Sequence, residues 1–248
     1  MAGAPPTPRP IATRAAYRGR LVRTLDHTAG TRSLFLQPEG AARFDFVPGQ
    51  FISVSVPTPS GPRLKPYTIA SIPESSPPFE ILFNLVPDGI ASNYLFGLRV
   101  GDFIDFTGPY GTFILETAPD CECIFMAETT AIAPVRPMIH RVLHRRGHMP
   151  IRLIHAAPSP EHLIYHDEFE GAAGQDPGFI YETVLVQLDP TRSRNPFTIR
   201  DLIQTRYLAD SKRERRFFIC GIGKAVLELR DLLRDGGYER RAVQYEQW

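Results

Sequence analysis

The chain has 248 residues, 43% hydrophobic and 22% charged, the make-up of folded globular protein rather than of disordered chain. A formal charge of +1 gives no global attraction to nucleic acid or an anionic membrane, and there is neither a run of about 18 apolar residues to span a bilayer nor an apolar N-terminal segment to direct secretion. Three cysteines, Cys121, Cys123 and Cys220, are too few for a disulfide framework and fit a reducing, cytoplasmic compartment.

Residues 1–16 are rich in Pro, Ala and Thr without periodicity and read as a flexible arm. From Tyr17 to residue 118 short β-type runs are punctuated by Gly and Pro: 20–25, 33–36, 51–56, 67–70, 79–86 and 103–106. That spacing predicts a six-stranded antiparallel barrel, interrupted by one short helix over 91–98. From 119 to 248 the texture changes. Apolar runs at 123–126, 151–154, 184–186 and 217–220 alternate with helical stretches at 134–145, 162–169, 199–206 and 224–234, and residues 241–248 read as a last strand. Such alternation implies parallel crossovers and a five-stranded, doubly wound α/β domain, with ligands at the carboxyl ends of its strands.

Three features of the first half carry chemistry. Pro48-Gly49-Gln50 turns the chain into an apolar strand, Lys65-Pro66-Tyr67-Thr68 sets a cation, a ring and a hydroxyl together, and Asp88–Leu95 is a glycine turn feeding a helix, with Ser92 as its expected N-cap. A helix start with free N–H groups suits a pyrophosphate, a ring can stack on an isoalloxazine, and a hydroxyl can bond its N5 edge.

With the run Leu85–Gly111, these segments resemble the ferredoxin–NADP reductase family, whose Arg-x-Tyr-Ser/Thr motif corresponds to Lys65–Thr68. The resemblance implies FAD as cofactor, with Lys65, Pro66, Tyr67, Thr68, Gly89, Ala91 and Ser92 around it, Tyr67 stacked on the flavin and Thr68 facing N5. Lys in place of Arg keeps the charge but loses the bidentate fork. It also implies that 17–118 is the FAD-binding barrel and 119–248 an NAD(P)-binding-like domain.

The second half resembles the family through Cys123–Met138, Ser159-Pro160-Glu161, Tyr165–Phe169, Ser193-Arg194, Phe218–Gly221 and Glu246–Trp248. By resemblance Cys220 and Glu246 lie beside the nicotinamide, Trp248 covers the flavin's second face, and Thr129, Thr130, Ser159 and Arg194 are candidates to bind the nucleotide. Thr68, Cys220, Glu246 and Trp248 would then serve the hydride step. The phosphate loop departs from the family. Where the family reads Ala-Thr-Gly-Thr-Gly-Ile-Ala-Pro, this chain has Ala127-Glu128-Thr129-Thr130-Ala131-Ile132-Ala133-Pro134. Both glycines are gone, Thr129 is expected to resist a positive φ, and Glu128 brings a negative charge to the pyrophosphate's seat. Two outcomes stay open: NAD(P)H binds through a reshaped loop, or Glu128 and the threonines fill the anion site themselves.

His140, His144 and His148 lack a carboxylate or Cys at ligand spacing, and Cys121-x-Cys123 lacks partners, so neither a metal nor an iron–sulfur cluster is expected. Arg9, Arg14, Arg18, Arg20 and Arg23 all precede the first acidic residue, Asp26, and either form a solvated face or steer an acidic partner. The resemblance thus implies an FAD enzyme passing electrons between NAD(P)H and a ferredoxin- or flavodoxin-like protein, acting as a monomer or weak oligomer without membrane insertion. Its alternative is a flavoprotein subunit that binds FAD but has lost productive NAD(P)H binding.

Overall fold

The computed structural model describes residues 15–41, 43–144, 149–186 and 199–248. Most of the expected arm, Ser193, Arg194 and His148 therefore lie outside the described residues.

The first half is an antiparallel sheet of β1 (Ala16–Thr28), β2 (Thr31–Pro38), β3 (Phe51–Val56), β4 (Arg63–Thr68), β5 (Phe79–Asn84) and β6 (Phe103–Tyr110), in the order β4-β3-β6-β1-β2-β5. A bridge between Ile69 and Ile81, with the Ala70 N–H donating to the Glu80 carbonyl at 2.8 Å, closes it into a barrel. Alternation does the sorting. Along β3 every second residue, Ile52, Val54 and Val56, is buried, because successive side chains point to opposite faces. They meet Leu21, Leu36, Phe79, Ile81 and Phe106 inside. The helix α1 (Ile90–Gly97) packs on this barrel through Leu95.

β4 starts earlier than expected and ends at Thr68, taking Lys65 and Pro66 into the ladder. It flanks only β3 in the sheet order, so a proline without an N–H costs little there. Ser92 is not the N-cap of α1: that position is Gly89, and Ser92 sits inside the first turn. Its Oγ accepts the Val86 N–H at 3.0 Å, so the hydroxyl ties the helix back to the preceding strand end.

The second half is a parallel sheet of β7 (Glu122–Glu128), β8 (Ile151–Ala157), β9 (Phe179–Leu185), β10 (Arg215–Gly221) and β11 (Val243–Gln247), in the order β11-β10-β7-β8-β9. The interior of β7, Cys123 to Ala127, is buried throughout, as a strand covered on both faces must be. One face carries Cys123, Phe125, Phe218 and Cys220 under α2 (Ile132–His144) and α3 (His166–Gln175). The other carries Ile124, Met126, Phe217 and Ile219 under α4 (Ile199–Ile203) and α5 (Lys224–Asp235). The chain leaves β7 toward β8 and β9, then returns to the other side of β7 for β10. The order reverses between β7 and β10, and the crevice at their carboxyl ends is the switch point where open α/β sheets bind ligands.

Two starts in the second half differ most from the sequence expectation. β9 begins at Phe179 rather than at 184, because it is an edge strand whose polar Glu182 is paired with Arg152 and Arg206. α3 starts at His166 rather than 162, because Tyr165 takes φ +63° and breaks the helical path. No helix among the described residues is long and apolar enough to cross a membrane.

Candidate functional site

The barrel and the parallel sheet meet at a cavity of about 180 Å³. From the barrel come Pro66, Tyr67 and Thr68; from the carboxyl edge of the sheet come Thr130, Ile222 and Trp248. Thr68 closes β4 and is 3% exposed. Its hydroxyl is buried without a hydrogen-bond partner among the described residues, and such a group is costly to leave unsatisfied. Tyr67 packs edge-on against Phe83 at 5.6 Å, and burial raises its phenol to about 12. A second cavity, about 420 Å³, continues along the barrel past Lys65, Asp88, Gly89, Ala91 and Ser92. Tyr67 borders both. At Gly89 a methyl group would stand 2.8 Å from Ser92 Oγ and 3.0 Å from the Val86 carbonyl, so only glycine closes this turn.

Trp248 is docked from the opposite half. Its backbone N–H donates to the Gly221 carbonyl at 3.1 Å, and its indole Nε1 donates to Cys220 Sγ at 3.1 Å. Cys220 is buried, which pushes its thiol well up, so it is held as a neutral thiol. Glu246 lies beside it in register. One oxygen of that carboxyl is buried without a partner among the described residues, and burial raises the group to about 7.

The altered loop takes a positive φ without a glycine. Thr129 adopts φ +49°, against the expectation that a β-branched residue would refuse it. The surroundings enforce it: a 3-10 turn, Thr129–Ala131, runs straight from β7 into α2. The left-handed region costs an L-residue about 1–2 kcal/mol. Thr130 Oγ1 accepts from Asn84 Nδ2 at 3.0 Å, and Asn84 Oδ1 accepts from Thr31, so this threonine joins the loop to the barrel. Ser159 is engaged with His162 Nδ1 at 2.8 Å and lines neither cavity.

Sequence reasoning missed the polar clamp between the halves. Glu80, 3% exposed, takes hydrogen bonds from Ser33, from the Tyr165 hydroxyl at 2.7 Å and from Arg136 Nη1 at 3.0 Å. Arg136 also donates to the Ala70 carbonyl and, through Nε, to both oxygens of Glu168, whose Oε1 lies 2.6 Å from His140 Nε2. Burial works to raise Glu168, but the His140 and Arg136 contacts outweigh it and hold the carboxyl below its ordinary value. His140 thus belongs to this clamp. The signal was present: Arg136 sits four residues after Ile132 and three before Ile139, inside the apolar stripe of α2. Gly49, at φ +98°, also serves the join: a methyl group there would clash with the Met138 side chain of α2 and with the Phe113 carbonyl.

A ring and an unpartnered hydroxyl at a barrel's mouth, facing the switch point of a parallel sheet, define a flavin- and nucleotide-binding oxidoreductase. Residues 21–114 match the family model described as oxidoreductase FAD-binding domain, and 125–228 the one described as oxidoreductase NAD-binding domain. The chain belongs to the ferredoxin–NADP reductase family of flavoproteins, and has the FAD-binding and NAD-binding domains of that family. It is 27% identical to ferredoxin–NADP reductase B of Sorangium cellulosum, over 94% of this chain and 97% of that protein. It is 26% identical to the glycine betaine monooxygenase reductase subunit of Pseudomonas aeruginosa, where it spans 93% of its own length but only 64% of the relative's. Among solved structures, a cytochrome P450 reductase from Amycolatopsis superposes with TM-score 0.82 at 24% identity, over 94% of this chain and 70% of that one. A ferredoxin NADP+ reductase from Neisseria gonorrhoeae, with bound FAD and NADP, gives 0.74 at 22%, over 95% and 99%. At such identities these structures establish the shared two-part fold.

Proposed function

We propose that the protein passes electrons between NAD(P)H and a small redox protein, with FAD held at the junction of barrel and sheet. The observation that carries this reading is the shared cavity: Tyr67 and Thr68 reach it from the barrel and Trp248 from the sheet. Bound FAD supplies the capacity to accept a hydride and release single electrons. The residues present fit it. Thr68 Oγ1 offers the flavin a hydrogen bond that nothing among the described residues takes. Tyr67 and Trp248 offer ring faces. Gly89, Ala91 and Ser92 open α1 beside the second cavity, where free N–H groups suit a pyrophosphate, with Lys65 as the nearby cation.

Cys220 and Glu246 would orient the nicotinamide, Glu246 through the buried oxygen that has no partner among the described residues. Thr129 and Thr130 would border the nucleotide, while Arg194 lies outside the described residues. The exposed Arg18, Arg20 and Arg23 of β1 would steer an acidic ferredoxin- or flavodoxin-like partner. An oxygenase component is the other partner class, in keeping with relatives named as a monooxygenase reductase subunit and as a toluate dioxygenase electron transfer component. The free cysteines suit the cytoplasm, where a monomer or weak oligomer suffices.

A second reading has one observation in its favour. Glu128 makes no hydrogen bond or ion pair among the described residues, and it stands in the loop that would receive the nucleotide. In that reading FAD is bound but electrons come from another donor. Anaerobic titration of the flavin-loaded protein with NADPH and then NADH, following the visible flavin band, separates the two. Bleaching at micromolar nucleotide supports the reductase. A flavin reduced by dithionite but by neither nucleotide supports the alternative.

A further inference from the structure

The reversal of strand order puts Glu128, the last residue of β7, opposite Gly221, the last residue of β10. The Glu128 carboxylate enters that crevice: its Oε2 would lie 3.8 Å from a methyl group built on Gly221, whose other neighbour is Val226 in the first turn of α5. The helices α2 and α5 both begin at this edge, directly after β7 and β10. Everything about the position favours an anion from outside, yet the protein supplies its own.

No cation is bonded to that carboxylate among the described residues, and burial alone raises it above its ordinary value. The charged and titratable groups of the packed elements do not answer it. Lys224 opens α5 but is exposed and makes no ion pair with it. His155 of β8 and Glu246 of β11 are in register with Ala127 and Cys220, so they share the sheet's other face, under α2. Ala156, paired with it in register, and Gly221 and Val226 beside it carry no charge.

A pyrophosphate at about 5 Å from an ionised carboxyl would lose a hundredfold or more in affinity at the effective dielectric of such sites. A neutral carboxyl reverses the sign, since it can donate a hydrogen bond to a phosphate oxygen. We propose that Glu128 makes dinucleotide binding proton-coupled: its carboxyl must be neutral for a pyrophosphate to seat at the switch point, so nucleotide binding takes up a proton. In balance, ionised Glu128, one proton and one nucleotide give a complex holding the neutral acid. The inference rests on the reading that NAD(P)H binds at this edge, and it makes nucleotide affinity rise as pH falls.

The test uses flavin-loaded wild type and Glu128→Gln, with NAD+ as probe because its pyrophosphate does not titrate near neutrality. Dissociation constants are measured by calorimetry between about pH 5.5 and 8, in two buffers of different ionisation enthalpy. The ratio of wild-type to Glu128→Gln Kd cancels any titration the two share, that of Glu246 included. The expected ratio grows about tenfold per pH unit above the carboxyl's pKa and levels off below it. Up to one proton is taken up per nucleotide by the wild type, and that uptake is absent in the variant. A ratio independent of pH, with equal proton uptake, overturns the proposal and leaves nucleotide binding intact. Failure of both proteins to bind NAD+ and NADP+ at every pH overturns the reading on which it rests, and the proposal with it.

Discussion

Replacing Arg136 by Met tests whether the two halves are held by the clamp or merely by apolar contact. The Arg136 side chain is 16% exposed and that of Glu80 only 4%, at 3.0 Å. At an effective dielectric of 20 their direct attraction is on the order of 5 kcal/mol, an upper bound because part is spent on desolvation. Met fills much the same volume but leaves the Glu80 charge buried with only the Ser33 and Tyr165 hydroxyls. Breaking a buried pair in this way costs about 3–5 kcal/mol, so Arg136→Met should lose about 3 kcal/mol. For a chain of this size that is about 6–12 °C in Tm. Glu80→Gln added to Arg136→Met removes the stranded charge and should recover at least half of the loss. Reversible urea unfolding followed by far-ultraviolet circular dichroism measures all members of the cycle. A loss below about 1 kcal/mol for Arg136→Met, or a double variant as damaged as the sum of the singles, would refute the clamp.

Three further outcomes are expected. Thr68→Val removes a hydroxyl that has no partner among the described residues, so apo stability should hold within about 1 kcal/mol while FAD affinity or its reduction rate falls about tenfold or more; fluorescence titration and stopped-flow reduction check it, and unchanged flavin behaviour counts against the assigned role. Glu246, raised to about 7 by burial, binds its proton more tightly folded than unfolded, so its penalty is absent below the ordinary carboxylate pKa, grows as pH rises toward 7 and is complete above it. Glu246→Gln should accordingly stabilise the protein by about 1–3 kcal/mol at pH 8 and by almost nothing at pH 4.5; a gain equal at both pH values would contradict the burial argument. Thr129→Gly relieves the φ of +49° at the expense of a more flexible unfolded chain, a net gain of up to about 1 kcal/mol. A thermal melt showing a clear loss would mean that the threonine side chain holds the loop.

Much of this architecture was legible without coordinates. The period-2 runs of the first half and the fully apolar runs of the second specify a barrel and a covered parallel sheet, because burying one face or two leaves different patterns in the chain. Lys65–Thr68 and Asp88–Ser92 also stood out as segments that now border the two cavities, since a ring, a hydroxyl and a glycine turn are local chemistry, whereas Trp248 was marked only by the family resemblance. What tertiary structure alone decided concerns residues whose meaning is set by their neighbours. Ser92 reads as a cap from its spacing, but the backbone enters the helix at Gly89 and turns its hydroxyl to Val86. Arg136 is an anomaly on an apolar stripe until the barrel brings Glu80 to it across 56 positions of sequence. Thr129 is held at a positive φ between a strand end and a helix start, which no local preference would choose. Glu128 reads in the sequence, by resemblance, as a negative charge at the pyrophosphate's seat; only the reversal of strand order sets it against Gly221, in a crevice where no cation among the described residues is bonded to it.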